Sequence, residues 1–151
     1  MVAGLWQMHT WGQDLAARVR WIQQVLDLGI TAFDHADIYG GYTVESLFGE
    51  ALAAAPGLRE RMTLVTKCGI RLVHASQPGL AVKHYDSSSA HILASVQRSL
   101  RALRTDRIDL LLIHRPDGLA HPDEIAEAFV RLHAAGQVRA FGVSNLSLIH
   151  I

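Results

Sequence analysis

The stretch "IDLLLIH" at residues 108–114 is apolar almost without interruption. Such a run marks a strand covered on both faces, and strands of that kind belong to parallel sheets flanked by helices. The same alternation of strand and helix extends from it in both directions. "ITAFD" (30–34), rich in β-branched and aromatic residues, and "MTLVTK" (62–67) read as strands on the N-terminal side; "VRAFGV" (138–143) reads as one on the C-terminal side. "GLWQM" (4–8) is a short apolar run standing where a first strand belongs.

Four helical patterns separate these runs. From Asp14 to Leu28, the residues Leu15, Val19, Ile22 and Leu26 recur at helical spacing, and Gly29 stops the helix. Thr43 stands at the cap of a second helix with Val44, Leu47, Phe48, Ala51 and Ala55 on one face, broken by Pro56-Gly57. Ser87, Ser88 and Ser89 supply capping hydroxyls for a third, striped by Ile92, Val96, Leu100 and Leu103. Pro122, Asp123 and Glu124 suit the first turn of a fourth, whose inner face is Ile125, Phe129 and Leu132 and which ends at Gly136. The order βαβαβαβαβ predicts an α/β fold with a parallel sheet, either doubly wound or part of a (β/α) barrel. A whole barrel needs eight such units and roughly 250 residues. Residues 70–89 are too long for a tight connection and predict a loop on the substrate side.

The 151 residues are half hydrophobic and carry 14 basic and 14 acidic side chains. That balance, with the basic residues scattered, gives no electrostatic reason to expect nucleic acid or an acidic membrane as partner. Cys68 is the only cysteine, so an internal disulfide is excluded and a reducing compartment is expected. The N-terminal residues lack the pattern of a secretory signal, and no apolar run approaches the ~18 to 20 residues that cross a bilayer. The expected location is cytoplasmic.

Polar residues gather at the C-terminal ends of the strands: Asp34, Lys67 and His114, with Ser144 and Asn145 after the last strand and Tyr39 just beyond Asp34. In a parallel α/β fold these ends share the face that carries the site. A phenol, an amine, a carboxylate and an imidazole together suggest proton transfer to a carbonyl oxygen. A free phenol holds its proton tightly near neutral pH, and a neighbouring ammonium eases its release. A carboxylate keeps the amine charged, and a neutral imidazole orients the carbonyl. The set lacks a strong nucleophile, so the attacking species is expected from a cofactor, with hydride the obvious candidate.

With these residues in place, the sequence resembles the aldo-keto reductase superfamily. The matching stretches are "FDHADIYGGYTVESLFGEAL" (33–52), "LVTKCG" (64–69), "RIDLLLIHRPD" (107–117) and "GQVRAFGVSN" (136–145). The variant is most similar to bacterial NADP-dependent oxidoreductases of that superfamily. The resemblance implies a partial (β/α)8 barrel of about five βα units over residues 4–145, reducing aldehydes or ketones with a nicotinamide cofactor, NADPH in preference to NADH. It implies Tyr39 as proton donor, Lys67 and Asp34 as the groups that tune it, and His114 as the group orienting the carbonyl. It further implies Ser144 and Asn145 on the nicotinamide carboxamide and Trp6 on the substrate side. The partner implied is a small-molecule carbonyl substrate. Residues 146–151, "LSLIHI", lack the resemblance and are expected to be a foreign tail. Five strands of a barrel leave two open edges and an uncovered inner face, so the chain alone is expected to be poorly packed and inactive.

Three rival readings stand beside this one. A Schiff-base lyase would use Lys67 as its amine. A metal hydrolase would draw on Asp34, His35, Asp37 and His114, although no H-E-x-x-H or cysteine pair occurs. A non-catalytic, cofactor-sensing regulatory subunit of the same superfamily could keep all four residues.

Overall fold

The computed structural model describes residues 1–146. Its strands are β1 (Val2–Gly4), β2 (Ala32–Asp34), β3 (Thr63–Cys68), β4 (Ile70–Arg71), β5 (His84–Tyr85), β6 (Ile108–Ile113) and β7 (Val138–Val143). The helices are α1 (Leu15–Asp27), α2 (Val44–Ala54), α3 (Ser89–Leu103) and α4 (Pro122–Ala134). The main sheet is wholly parallel, in the order β1-β2-β3-β6-β7, and the short pair β4-β5 is an antiparallel ribbon inside the 70–89 loop. This is a partial (β/α)8 barrel: each strand of the main sheet follows its predecessor through a helical crossover, and the neighbours in space are neighbours in order. Among the described residues no helix is long and apolar enough to cross a membrane.

Pleating divides the strands between two faces. Leu64, Cys68, Leu111 and Phe141 turn towards the helices, where two cores form. One gathers Phe33, Phe48, Ile22 and Leu103 around α1 and α2; the other gathers Ile92, Val96, Leu111 and Leu132 around α3 and α4. The opposite face carries Val65, Lys67, Leu110 and Leu112. On β6, Leu110 and Leu112 of that face are only half-buried, whereas Leu111 and Ile113 on the helical side are buried, so the upper part of the strand is covered more fully on its helical side. The expectation of burial on both faces is corrected accordingly.

Other expectations shift by a residue or a turn. The first strand lies at Val2–Gly4 rather than within "GLWQM", and Met8 begins a single 3₁₀ turn. In α1 Leu15 faces out, and the inward stripe is Arg18, Ile22, Val25 and Leu26, with Arg18 reaching Glu50 of α2 at 2.7 Å. Thr43 occupies the cap position of α2 but spends its hydroxyl on the Gly40 carbonyl, 2.7 Å away. Ser88, of the three serines, accepts the capping bond in α3, from the His91 N–H. The bottom of the sheet is tied by Arg59, which meets Asp109 of β6 at 2.8 Å and the carbonyls of Met62 and Arg107. Asp109 also accepts from the Leu64 N–H at 2.9 Å, joining β6 to β3.

Helices α2 and α3 meet at Gly49, where a Cβ would overlap the Ala102 carbonyl oxygen and the Leu103 backbone. Alanine normally favours a helix over glycine by about 1 kcal/mol. Here the backbone overlap dominates, because overpacking against main chain costs about 1–3 kcal/mol and no flexible side chain is there to yield. Gly49→Ala should therefore lower stability by up to about 2 kcal/mol net of the propensity gain. Urea melts read it directly, and an unchanged or raised midpoint would mean that the two helices part without cost.

Candidate active site

Lys67 is 7% exposed and its ammonium makes three hydrogen bonds. Nζ donates to Asp34 Oδ1 at 2.6 Å, to the His35 carbonyl at 2.8 Å and to the Tyr39 hydroxyl at 3.2 Å. The register explains the convergence. Asp34 pairs with Val65, one pleat step before Lys67 on the same face. The chain then stays against β3 after β2 has ended: the His35 N–H reaches the Val65 carbonyl at 2.8 Å and the Asp37 N–H reaches that of Lys67 at 3.0 Å. The His35 carbonyl and Tyr39 are thereby brought over the Lys67 side chain.

Tyr39 is set by the turn that follows it. Gly40, Gly41 and Tyr42 all have left-handed backbone, with φ of 59°, 63° and 69°. Glycine adopts that conformation freely, whereas Tyr42 carries the strain of a bulky residue there. The Tyr42 hydroxyl accepts from the Leu72 N–H at 2.9 Å, and its ring packs 5.6 Å from that of His74. These contacts tie the turn to the 70–89 loop.

His114 follows β6 and is buried, with its ring 6.0 Å from that of Tyr39 and nearly perpendicular to it. Burial, reinforced by the charges of Lys67 and Arg115, lowers its pKa to about 4, so the ring is neutral at physiological pH. Asn145 holds a left-handed φ of 62°, and its Nδ2 donates to the His114 carbonyl at 3.2 Å and to Ser144 Oγ at 2.8 Å. Trp6 is exposed and lines a cavity of about 810 Å³ shared by Tyr39, His114, Ile70 and Tyr85. Asp34, Tyr39, Lys67 and His114 are thus gathered at one point, Trp6 borders it, and Ser144 and Asn145 adjoin His114.

Behind the site lies a polar layer in which Glu45 is unforeseen from the sequence, and His35 and Asp37, weighed there only as metal ligands, are buried. Glu45 of α2 accepts from Thr66 Oγ1 at 2.6 Å, next to Lys67. Asp37 is buried, and burial, with Glu45 nearby, raises its pKa to about 8. Burial likewise raises Glu45 and, far more, the Cys68 thiol. His35 is fully buried, its ring edge-on to Phe48 at 4.5 Å, and burial with the charge of Lys67 lowers its pKa to about 3. The run "FDHAD" offered alternate polar and apolar letters; nothing in them shows that His35 and Asp37 turn inwards. That inward turn also separates them from Asp34, and no three metal-ligating side chains come together among the described residues. Residues 147–151 of the expected tail lie outside the described residues.

With fold and site defined, comparison with known proteins gives the class. The profile of the Aldo/keto reductase family matches residues 1–151, and the chain belongs to that family. It is 56% identical over 145 residues to the oxidoreductase YcsN of Bacillus subtilis, covering 96% of this chain and 48% of that protein. It is 47% identical over 146 residues to a 6-dehydroglucose reductase of Agrobacterium fabrum, covering 96% of this chain and 49% of that one. Among solved structures, the glycerol dehydrogenase AKR11B4 of Gluconobacter oxydans superposes with a TM-score of 0.81 at 36% identity, over 99% of this chain and 45% of that one. The chain spans about half the length of the curated relatives it matches.

The buried His35 gives a pH test. Its folded pKa of about 3 lies below the usual 6.5, so its neutral form is favoured by folding. Its contribution to stability is complete above pH 6.5 and is lost as pH falls towards 3, at up to about 1.4 kcal/mol per pH unit. In denaturant melts across that range, His35→Leu should flatten the acid loss of stability relative to the wild-type chain. Parallel pH profiles would mean that His35 is not held neutral.

Proposed function

We propose that the chain carries the carbonyl-reducing centre of an NADPH-dependent aldo-keto reductase, converting aldehydes or ketones to alcohols in the cytoplasm. One observation carries the reading: a single buried ammonium bridges Asp34 and the Tyr39 hydroxyl, and the Tyr39 ring faces that of His114. The choice of NADPH over NADH rests on the family resemblance.

The residues after β7 suit a nicotinamide carboxamide. Both N–H bonds of Asn145 Nδ2 are engaged within the protein, which leaves its Oδ1 to accept from an amide, while the Ser144 hydroxyl is free to donate to a carbonyl. When bound, the nicotinamide supplies the hydride. The chain's own residues do the rest. His114, neutral at physiological pH, donates its one ring N–H to the substrate oxygen and fixes the carbonyl against Tyr39. As negative charge develops on that oxygen, the Tyr39 hydroxyl passes it a proton. The phenolate left behind is stabilised by the Lys67 ammonium, and Asp34 and the His35 carbonyl hold that ammonium in position.

The Schiff-base alternative fits this geometry less well. An amine attacks a carbonyl only when neutral and free, and all three N–H bonds of Lys67 are occupied.

With this chain carried in a full-length barrel, Tyr39→Phe should lower the rate of NADPH oxidation with a panel of aldehydes by about 10²–10⁴-fold, the usual worth of a positioned proton donor, with cofactor affinity kept. Unchanged turnover would remove Tyr39 from the reaction. Intact NADPH binding without turnover in either protein, together with capture of a protein partner, would favour the regulatory reading instead.

A further inference from the structure

The cavity in front of Tyr39 and His114 has a one-sided electrostatic wall. Lys83, from the arm just before β5, and Arg115, the residue after His114, both line it, together with Gln7, His9 and Thr10. Among the described residues no carboxylate lines it. In a chain with 14 acidic and 14 basic residues, that is a local excess which the overall balance does not supply. Both cations are exposed, and neither meets a carboxylate at ion-pair distance among the described residues. By contrast Lys67, at the base of the site, is neutralised by Asp34 at 2.6 Å. The two outer charges come from segments some thirty residues apart in sequence, and both act on the His114 ring, lowering its pKa as Lys67 does.

Two unpaired cations beside a carbonyl-orienting histidine form a subsite for a negatively charged group. We propose that this cavity selects carbonyl compounds that also carry a carboxylate or phosphate, which Lys83 and Arg115 bind while the carbonyl lies between Tyr39 and His114. The assignment of the carbonyl end rests on the reductase reading above; the anion subsite does not. Arg115 offers a planar fork matched to two oxygens of one anion, and Lys83 adds a compact charge on a flexible stem. The cavity, about 810 Å³, has ample room for a short chain bearing both groups.

The test compares two alcohols of the same length, 4-hydroxybutyrate and 1,4-butanediol, titrated by calorimetry or NMR into a full-length barrel that carries this chain. The wild-type chain should bind the carboxylate at least about tenfold more tightly, the fold-change of one modest charge-assisted contact. Raised salt should narrow the gap. The double variant Lys83→Ala/Arg115→Ala alters only exposed side chains; it should melt as the wild type does and lose the preference, and Arg115→Lys should keep part of it. Equal affinity for the two probes, or no measurable binding of either, overturns the proposal. So does a double variant that keeps the preference for the carboxylate. If instead the double variant weakens NADPH binding while the ratio of the two alcohols stays as in wild type, the cations serve the cofactor's phosphates and the proposal falls. Tyr39→Phe separates the two claims: a full-length protein that prefers the carboxylate, but whose turnover is indifferent to Tyr39, removes the reductase reading and leaves the anion subsite standing.

Discussion

A buried ammonium is the constraint on which this structure turns. Lys67 lies at the top of a strand with almost no contact with water, where an uncompensated charge would cost several kcal/mol. It is satisfied by a carboxylate, a main-chain carbonyl and a phenol, all from the nine residues that run from Asp34 to Tyr42 or lie within them. Each acceptor makes a separate demand on the fold. Asp34 requires β2 to pair with β3 in one register; the His35 carbonyl requires the chain to keep running alongside β3 past the end of the strand; Tyr39 requires it then to turn back.

That last demand accounts for the oddest backbone in the chain. Three successive left-handed residues after Tyr39 reverse the direction within a few ångströms and deliver Val44 to the start of α2. The strain at Tyr42 is offset by its hydrogen bond to Leu72 and its contact with His74, so the 70–89 loop and the turn brace each other. Site geometry and loop position are in this sense one arrangement.

Much of this was legible in the letters, for identifiable reasons. The alternation of apolar runs with helical stripes pointed to a parallel sheet, the barrel order came with the family resemblance, and Asp34, Lys67 and His114 were visible because each ends a strand. What escaped was set by packing between elements. Leu15 fits the helical spacing of α1, yet Arg18 takes the inward place because Glu50 on the next helix can meet it. The half-buried Leu110 and Leu112 read as core because an apolar run does not say which of its faces meets a helix. Thr43 looked like a capping residue, and its hydroxyl went to the tight turn instead. Lys83 and Arg115 passed unnoticed because scattered cations carry no pattern until a ribbon and a strand end bring them to one cavity.

The buried carboxylate of Asp37 alters the charge of the whole molecule. The tally of +0 assumes that every acid is ionised. With its pKa near 8, Asp37 keeps most of its proton at neutrality, so this carboxyl adds almost no negative charge to the native chain. Unfolding in urea returns that carboxyl to water, where it ionises.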